Sequence, residues 1–117
     1  MVIQRFEDVI AWQKAKLLTY ELRVTLAPVN DYSFRDQIFR ASLSIMNNIA
    51  EGFGRRTDRE LKHFLHVARG STAEVRSMLI LASELNYISA AKQEELLTLT
   101  EEISKLLSGF IKSLTSD

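Results

Sequence analysis

Hydrophobic and polar residues along this chain recur with the period of a helix rather than a strand. The stretch the chain is organised around is Gln37–Arg55, QIFRASLSIMNNIAEGFGR, with Ile38, Ala41, Ser42, Ile45, Ile49 and Phe53 on one stripe. Arg40, Ser44, Asn47 and Glu51 fall on the opposite stripe, and the pattern stops at Gly52 and Gly54. A later segment sets Leu61, Phe64, Leu65, Ala68, Thr72, Val75, Leu79 and Ala82 on one face. The last sets Leu96, Leu99, Ile103, Leu106, Leu107, Phe110 and Leu114 inward, with Glu101, Lys105 and Lys112 outward. Thr57-Asp58-Arg59-Glu60 reads as a capping box, Ser33 with Asp36 as a second, and Asn86 as a left-handed terminator.

The first segment differs. Ala11, Ala15, Leu18, Leu22 and Leu26 form one apolar stripe, while Phe6, Val9, Ile10, Leu17, Tyr20 and Val24 form another on the far side. A helix in a monomeric bundle needs only one such face, so the second predicts a partner chain. Spacing alone does not say which stripe faces it.

One proline and four glycines leave little punctuation. Four helices are predicted, over residues 7–26, 33–54, 57–86 and 89–115, in a single domain spanning 1–117. Long helices with short connections must fold back as antiparallel neighbours. The expected architecture is all-α, an antiparallel up-down-up-down four-helix bundle roughly 30–40 Å long, assembling as a homo-oligomer.

There are no cysteines, which excludes disulfides and thiolate metal sites. The N-terminus has no uninterrupted apolar region, and the longest apolar run, Met78–Ala82, is far too short to span a bilayer. The expectation is a soluble cytoplasmic chain with no membrane partner. Fifteen basic residues balance fifteen acidic ones. The balance is uneven along the chain: residues 35–76 carry eight basic and five acidic groups, and residues 77–117 carry three and six. An anionic partner should therefore meet the middle of the chain.

Within that middle, Arg55, Lys62, Arg69 and Arg76 recur every seven residues, the last three on one side of a helix over roughly 21 Å. Arg56, Arg59 and His66 lie close by. Such a row can track phosphates of RNA or DNA, or dock an acidic partner protein; its bland reading is a solvated helix face. No aromatic interleaves with it in the sequence, so charge and shape rather than base stacking should lead.

The polar set Arg40, Ser44, Asn47 and Glu51, which Asn48 and Arg69 are placed to join, reads as a subunit interface or a pocket. With no His–carboxylate partner for a serine, no catalytic residue is identified and no enzyme is expected. Glu60 and His63 have the Glu-x-x-His spacing of di-iron bundles, but the chain lacks the second such pair, so no metal and no cofactor are expected. Gly70, a mid-helix glycine beside Ala73 and Ser77, suggests close approach of a neighbouring chain or a phosphate. Trp12 reads as a core or interface anchor. The candidate oligomer-interface set is thus Arg40, Ser44, Asn47, Asn48, Glu51 and Gly70 with Ala11, Ala15, Leu18 and Leu22 of the first helix.

Gln37–Gly52 resembles the Q-x-x-R-A-x-x-S-I-x-x-N-I-A-E-G signature of four-helix bundle proteins encoded in 23S rRNA intervening sequences. Phe6-Glu7-Asp8-Val9 with Trp12-Gln13-Lys14-Ala15 resembles that family's opening, and Phe64–Ser71 followed by Glu74 its third-helix motif. The chain departs at Ala27-Pro28-Val29-Asn30, where an aromatic-proline turn is usual, and at Phe34, where leucine is common. The resemblance implies an antiparallel bundle assembling as a homopentamer. It also implies a fold shared with the accessory protein of diversity-generating retroelements, which binds nucleic acid and a reverse transcriptase. The family has no established enzymatic activity and its molecular role is unsettled.

Overall fold

A computed structural model describes residues 5–114, and among these the chain is all-α without strands. Residues 1–4 and 115–117 of the expected domain, with the expected last helical position Thr115, lie outside the described residues. A 3₁₀ turn, Phe6–Asp8, precedes four helices: α1 Ile10–Thr25, α2 Tyr32–Phe53, α3 Asp58–Glu84 and α4 Ala90–Ser113. The first helix starts later than predicted because residues 6–8 form this separate turn and Val9 is extended.

Local chemistry sets the ends. Thr57 accepts from the Glu60 amide at 3.1 Å, and the Glu60 carboxylate reaches back to the Arg56 amide at 3.3 Å. Ser89 caps α4 through the Lys92 amide. Asn86 holds φ at 62°, and the Tyr87 amide donates to the Ala82 carbonyl, closing α3 as a Schellman motif. The expected Ser33/Asp36 box does not form. Asp31 caps α2 instead, accepting from the Phe34 amide, because the helix begins one residue earlier than the periodicity suggested.

Each helix packs on two neighbours, α1 on α2 and α4, and α3 on α2 and α4; the backbones of the diagonal pairs do not approach closely. The body measures 44 × 21 × 21 Å. Its axis is filled by Leu18, Leu22, Ile38, Ile45, Ile49, Leu65, Leu79, Leu96, Ile103 and Leu107, all fully buried. Full burial of a side chain of this size contributes about 1.5–3 kcal/mol. The buried hydroxyls Thr19, Ser42, Thr72 and Thr100 each donate to a carbonyl of their own helix, so they cost the core no unpaired donor.

The amphipathic pattern stops at Gly52, but α2 runs through it to Phe53, one residue short of the predicted end. Gly52 is a buried helical residue against which the first turn of α3 closes: a Cβ there would lie 2.8 Å from Leu61 Cδ1 and 3.1 Å from Phe64 Cβ.

Candidate nucleic-acid interface

The close approach at Gly52 fixes the corner from which the basic residues radiate. Because α2 stays helical to Phe53, Glu51 and Arg55 keep their four-residue spacing and pair at 2.6 Å. The Arg55 guanidinium also lies 4.8 Å from the centre of the Phe64 ring. An aromatic therefore does sit at the basic corner, contrary to the sequence reading. Its ring receives an arginine of its own chain, which takes the place a base would need.

Arg55, Thr57, Arg59, Glu60, His63 and Phe64 line a shallow open depression. Two of the corner's acids are occupied, Glu51 by Arg55 and Glu60 by the Arg56 amide, while the Arg56 and Arg59 side chains are exposed. The rest of the row behaves differently. Lys62 is half-buried. Arg69 turns toward α4, donating to Ser108 Oγ at 3.2 Å and meeting His66 Nδ1 at 3.1 Å. Arg76 lines a groove with Thr72, Ala73, Thr100, Glu101 and Ser104. The seven-residue spacing thus sets Lys62, Arg69 and Arg76 along the edge of α3 beside α4, with Arg76 exposed at one end and Arg56 and Arg59 exposed at the other.

The polar stripe of α2 divides. Ser44 and Asn48 turn toward α3: Asn48 Nδ2 donates to the Ser44 carbonyl and hydroxyl, and the Ser44 and Ser71 hydroxyls meet at 2.8 Å. Arg69 does not join this network, because its position on α3 faces α4. Arg40 and Asn47 are exposed, with no side-chain hydrogen bond or ion pair among the described residues; Asn47, Ala50, Glu51, Gly54 and Arg55 border a second open depression. Asp36 is exposed one turn before Arg40, with no ion pair between the two. No serine here is backed by a histidine–carboxylate pair.

Ala11, Ala15, Leu18 and Leu22 are buried in the chain's own core, which corrects their place in the candidate interface set: a side chain already enclosed has no surface for a partner. Of the two stripes on α1, the other remains open, with Ile10, Leu17, Tyr20 and Val24 all 47–66% exposed. Val9, assigned to that open stripe, is buried, since it precedes the helix. Trp12 packs on the core edge-to-face with Phe6 at 5.2 Å. Gly70 is exposed, and a Cβ there would meet nothing within 4 Å, so any close approach must come from outside this chain.

No helix among the described residues is long and apolar enough to cross a membrane. The family model described as 23S rRNA-intervening sequence protein matches residues 7–109. A crystal structure of a protein with unknown function from the S23 ribosomal protein family of Bacteroides thetaiotaomicron VPI-5482 is similar in fold, with a TM-score of 0.81 and 24% identity over 89% of this chain and 100% of that one. No curated protein matches the sequence.

Proposed function

The chain belongs to the 23S rRNA-intervening sequence protein family, and we propose that it is a non-enzymatic, cytoplasmic homopentamer of antiparallel bundles that binds structured nucleic acid through its basic surface. The antiparallel course is supported by partners whose numbers fall along one helix as they rise along the next: Gln37 with Glu74 and Ser44 with Ser71, Lys14 with Glu102 and Glu21 with Lys92. Self-association is supported by the open apolar stripe of α1, since an unpartnered face of this kind marks an interaction surface.

The observation that carries the ligand class is the exposed Arg56 and Arg59 at the corner where Glu51 and Glu60 are already engaged. Guanidinium groups in that setting suit phosphate oxygens, and copies gathered in one assembly multiply the charge. With Phe64 covered by Arg55, recognition rests on backbone charge and shape and carries little base specificity.

Reversing Arg56, Arg59 and Lys62 to glutamate should weaken binding to a duplex RNA by about a hundredfold or more at moderate salt, with oligomer mass unchanged. Unchanged affinity in a correctly assembled variant sinks the reading. A nuclease-insensitive pull-down of an acidic protein by the wild type, lost in the variant, transfers the surface to a protein partner.

A further inference from the structure

We propose that the exposed apolar face of α1 docks on the small-residue face of α3 of a second copy of this chain, so that each protomer carries one half of the contact on each side. The inference rests on the self-association proposed above and specifies how it is made.

The two faces differ in kind. On α1, Ile10, Leu17, Tyr20 and Val24 project from the surface. On α3 the outward row is Gly70, Ala73 and Ser77, all exposed, bordered by Val67, Ile80 and Leu81. Bulk on one side and its absence on the other is the complementarity that lets two helices approach closely. Because α1 and α3 are a diagonal pair whose backbones do not approach, their outward faces lie on opposite sides of the molecule. A surface and its complement on opposite sides make a heterologous contact, which repeats from copy to copy.

The two faces also lie at one level along the bundle. Through α2, Arg23 sits over Phe39 while Gln37 meets Glu74. Through α4, Glu21 pairs with Lys92, next to Gln93, whose side chain donates to the Leu79 carbonyl. The first route sets Tyr20 near residue 69 of α3 and the second near residue 79, so the row of Gly70, Ala73 and Ser77 lies between the two. Copies can then join side by side without a step along the axis, which favours closure into a ring over a filament.

The borders carry opposite charges on the side of α2, where Lys16 and Arg23 flank the α1 face and Glu74 flanks the α3 face. On the side of α4, the α1 face is flanked by both Lys14 and Glu21, each already paired with α4 of its own chain, and the α3 face by Arg76. Side-by-side copies bring cation to anion along the α2 edge, which favours one orientation.

The test uses two neutral double variants of the full chain, Leu17→Gln with Tyr20→Gln and Gly70→Gln with Ala73→Gln, and light scattering at micromolar concentration. Wild type should have a mass several times 13.4 kDa, and each variant alone the single-chain mass. Mixed in equal amounts, they should form a two-chain species, because each retains the half that the other lost. Failure of the mixture to pair overturns the proposal, as does an α3 variant that assembles like wild type. A wild type of single-chain mass removes the self-association reading as well. Gly70→Gln alone places a good helix former into open space, so circular dichroism should show full helicity; it should still raise the dissociation concentration at least tenfold, and no change would count against the contact.

Discussion

Where residues 26–31 and 85–89 meet, polar side chains are committed to the chain itself. Tyr87 donates to the Asp31 carboxylate at 2.6 Å and its ring meets Phe34 edge-on at 5.2 Å. Arg35 donates to the carbonyls of Ala27 and Val29 at 3.0 Å each. At the opposite end, residues 54–57 turn with one internal ion pair, and the arginines beyond it are exposed. Both ends join helices by a few residues, yet one ties its polar groups down and the other presents them. A short connection therefore needs either side-chain clamps or close helix packing, and the α2–α3 corner uses the second. Its clamp is steric, Gly52 beneath Leu61, and the Arg56 and Arg59 side chains beside it stay exposed.

That contrast can be broken most severely at Gly52. Gly52→Val should destabilise the fold by about 1–3 kcal/mol, because Leu61 and Phe64 must move from a well-packed site. Denaturant titration reads the loss, and a stability equal to wild type contradicts the steric clamp. Gly109 is the control: it is also helical, but a Cβ there would meet nothing within 4 Å, so Gly109→Ala should stabilise by about 0.5–1 kcal/mol.

The clamped end should respond to pH. The Tyr87 hydroxyl, with help from the Phe34 amide, holds the Asp31 carboxyl below its ordinary range, and Asp31 in turn pushes the Tyr87 phenol up. A depressed carboxylate contributes stability above its unfolded value of about 4 that is lost as pH falls through the folded one; a raised phenol contributes stability below about 10 that is lost as pH rises through the folded one. Tyr87→Phe should therefore lower stability between those limits. The gap from wild type should narrow outside them, as read by urea midpoints across pH. A gap independent of pH would contradict the pairing.

Much of the fold was legible because core spacing is local information. The stripes of α2 and α3 are buried as the periodicity required, apart from the half-buried Phe53 and Phe64 at the corner, and Thr57, Ser89 and Asn86 end helices by chemistry encoded within a few residues. The candidate site was less legible, for a physical reason. That Gly52 is a packing site rather than a helix stop depends on Leu61, which reaches it only when α3 folds back. The turn of Arg69 toward Ser108 depends on α4, and Asp31 serves as a cap partly through a tyrosine 56 residues away. Periodicity also left α1 with two equivalent stripes; packing against α2 and α4 chose between them.

The central claim is that exposed cations at the α2–α3 end bind phosphates, and the salt dependence of duplex-RNA affinity tests it most directly. For wild type, log affinity should fall linearly with log salt, and Arg59→Gln should reduce the steepness by about one. An affinity insensitive to salt, or a slope unchanged by Arg59→Gln in a correctly assembled protein, would contradict it.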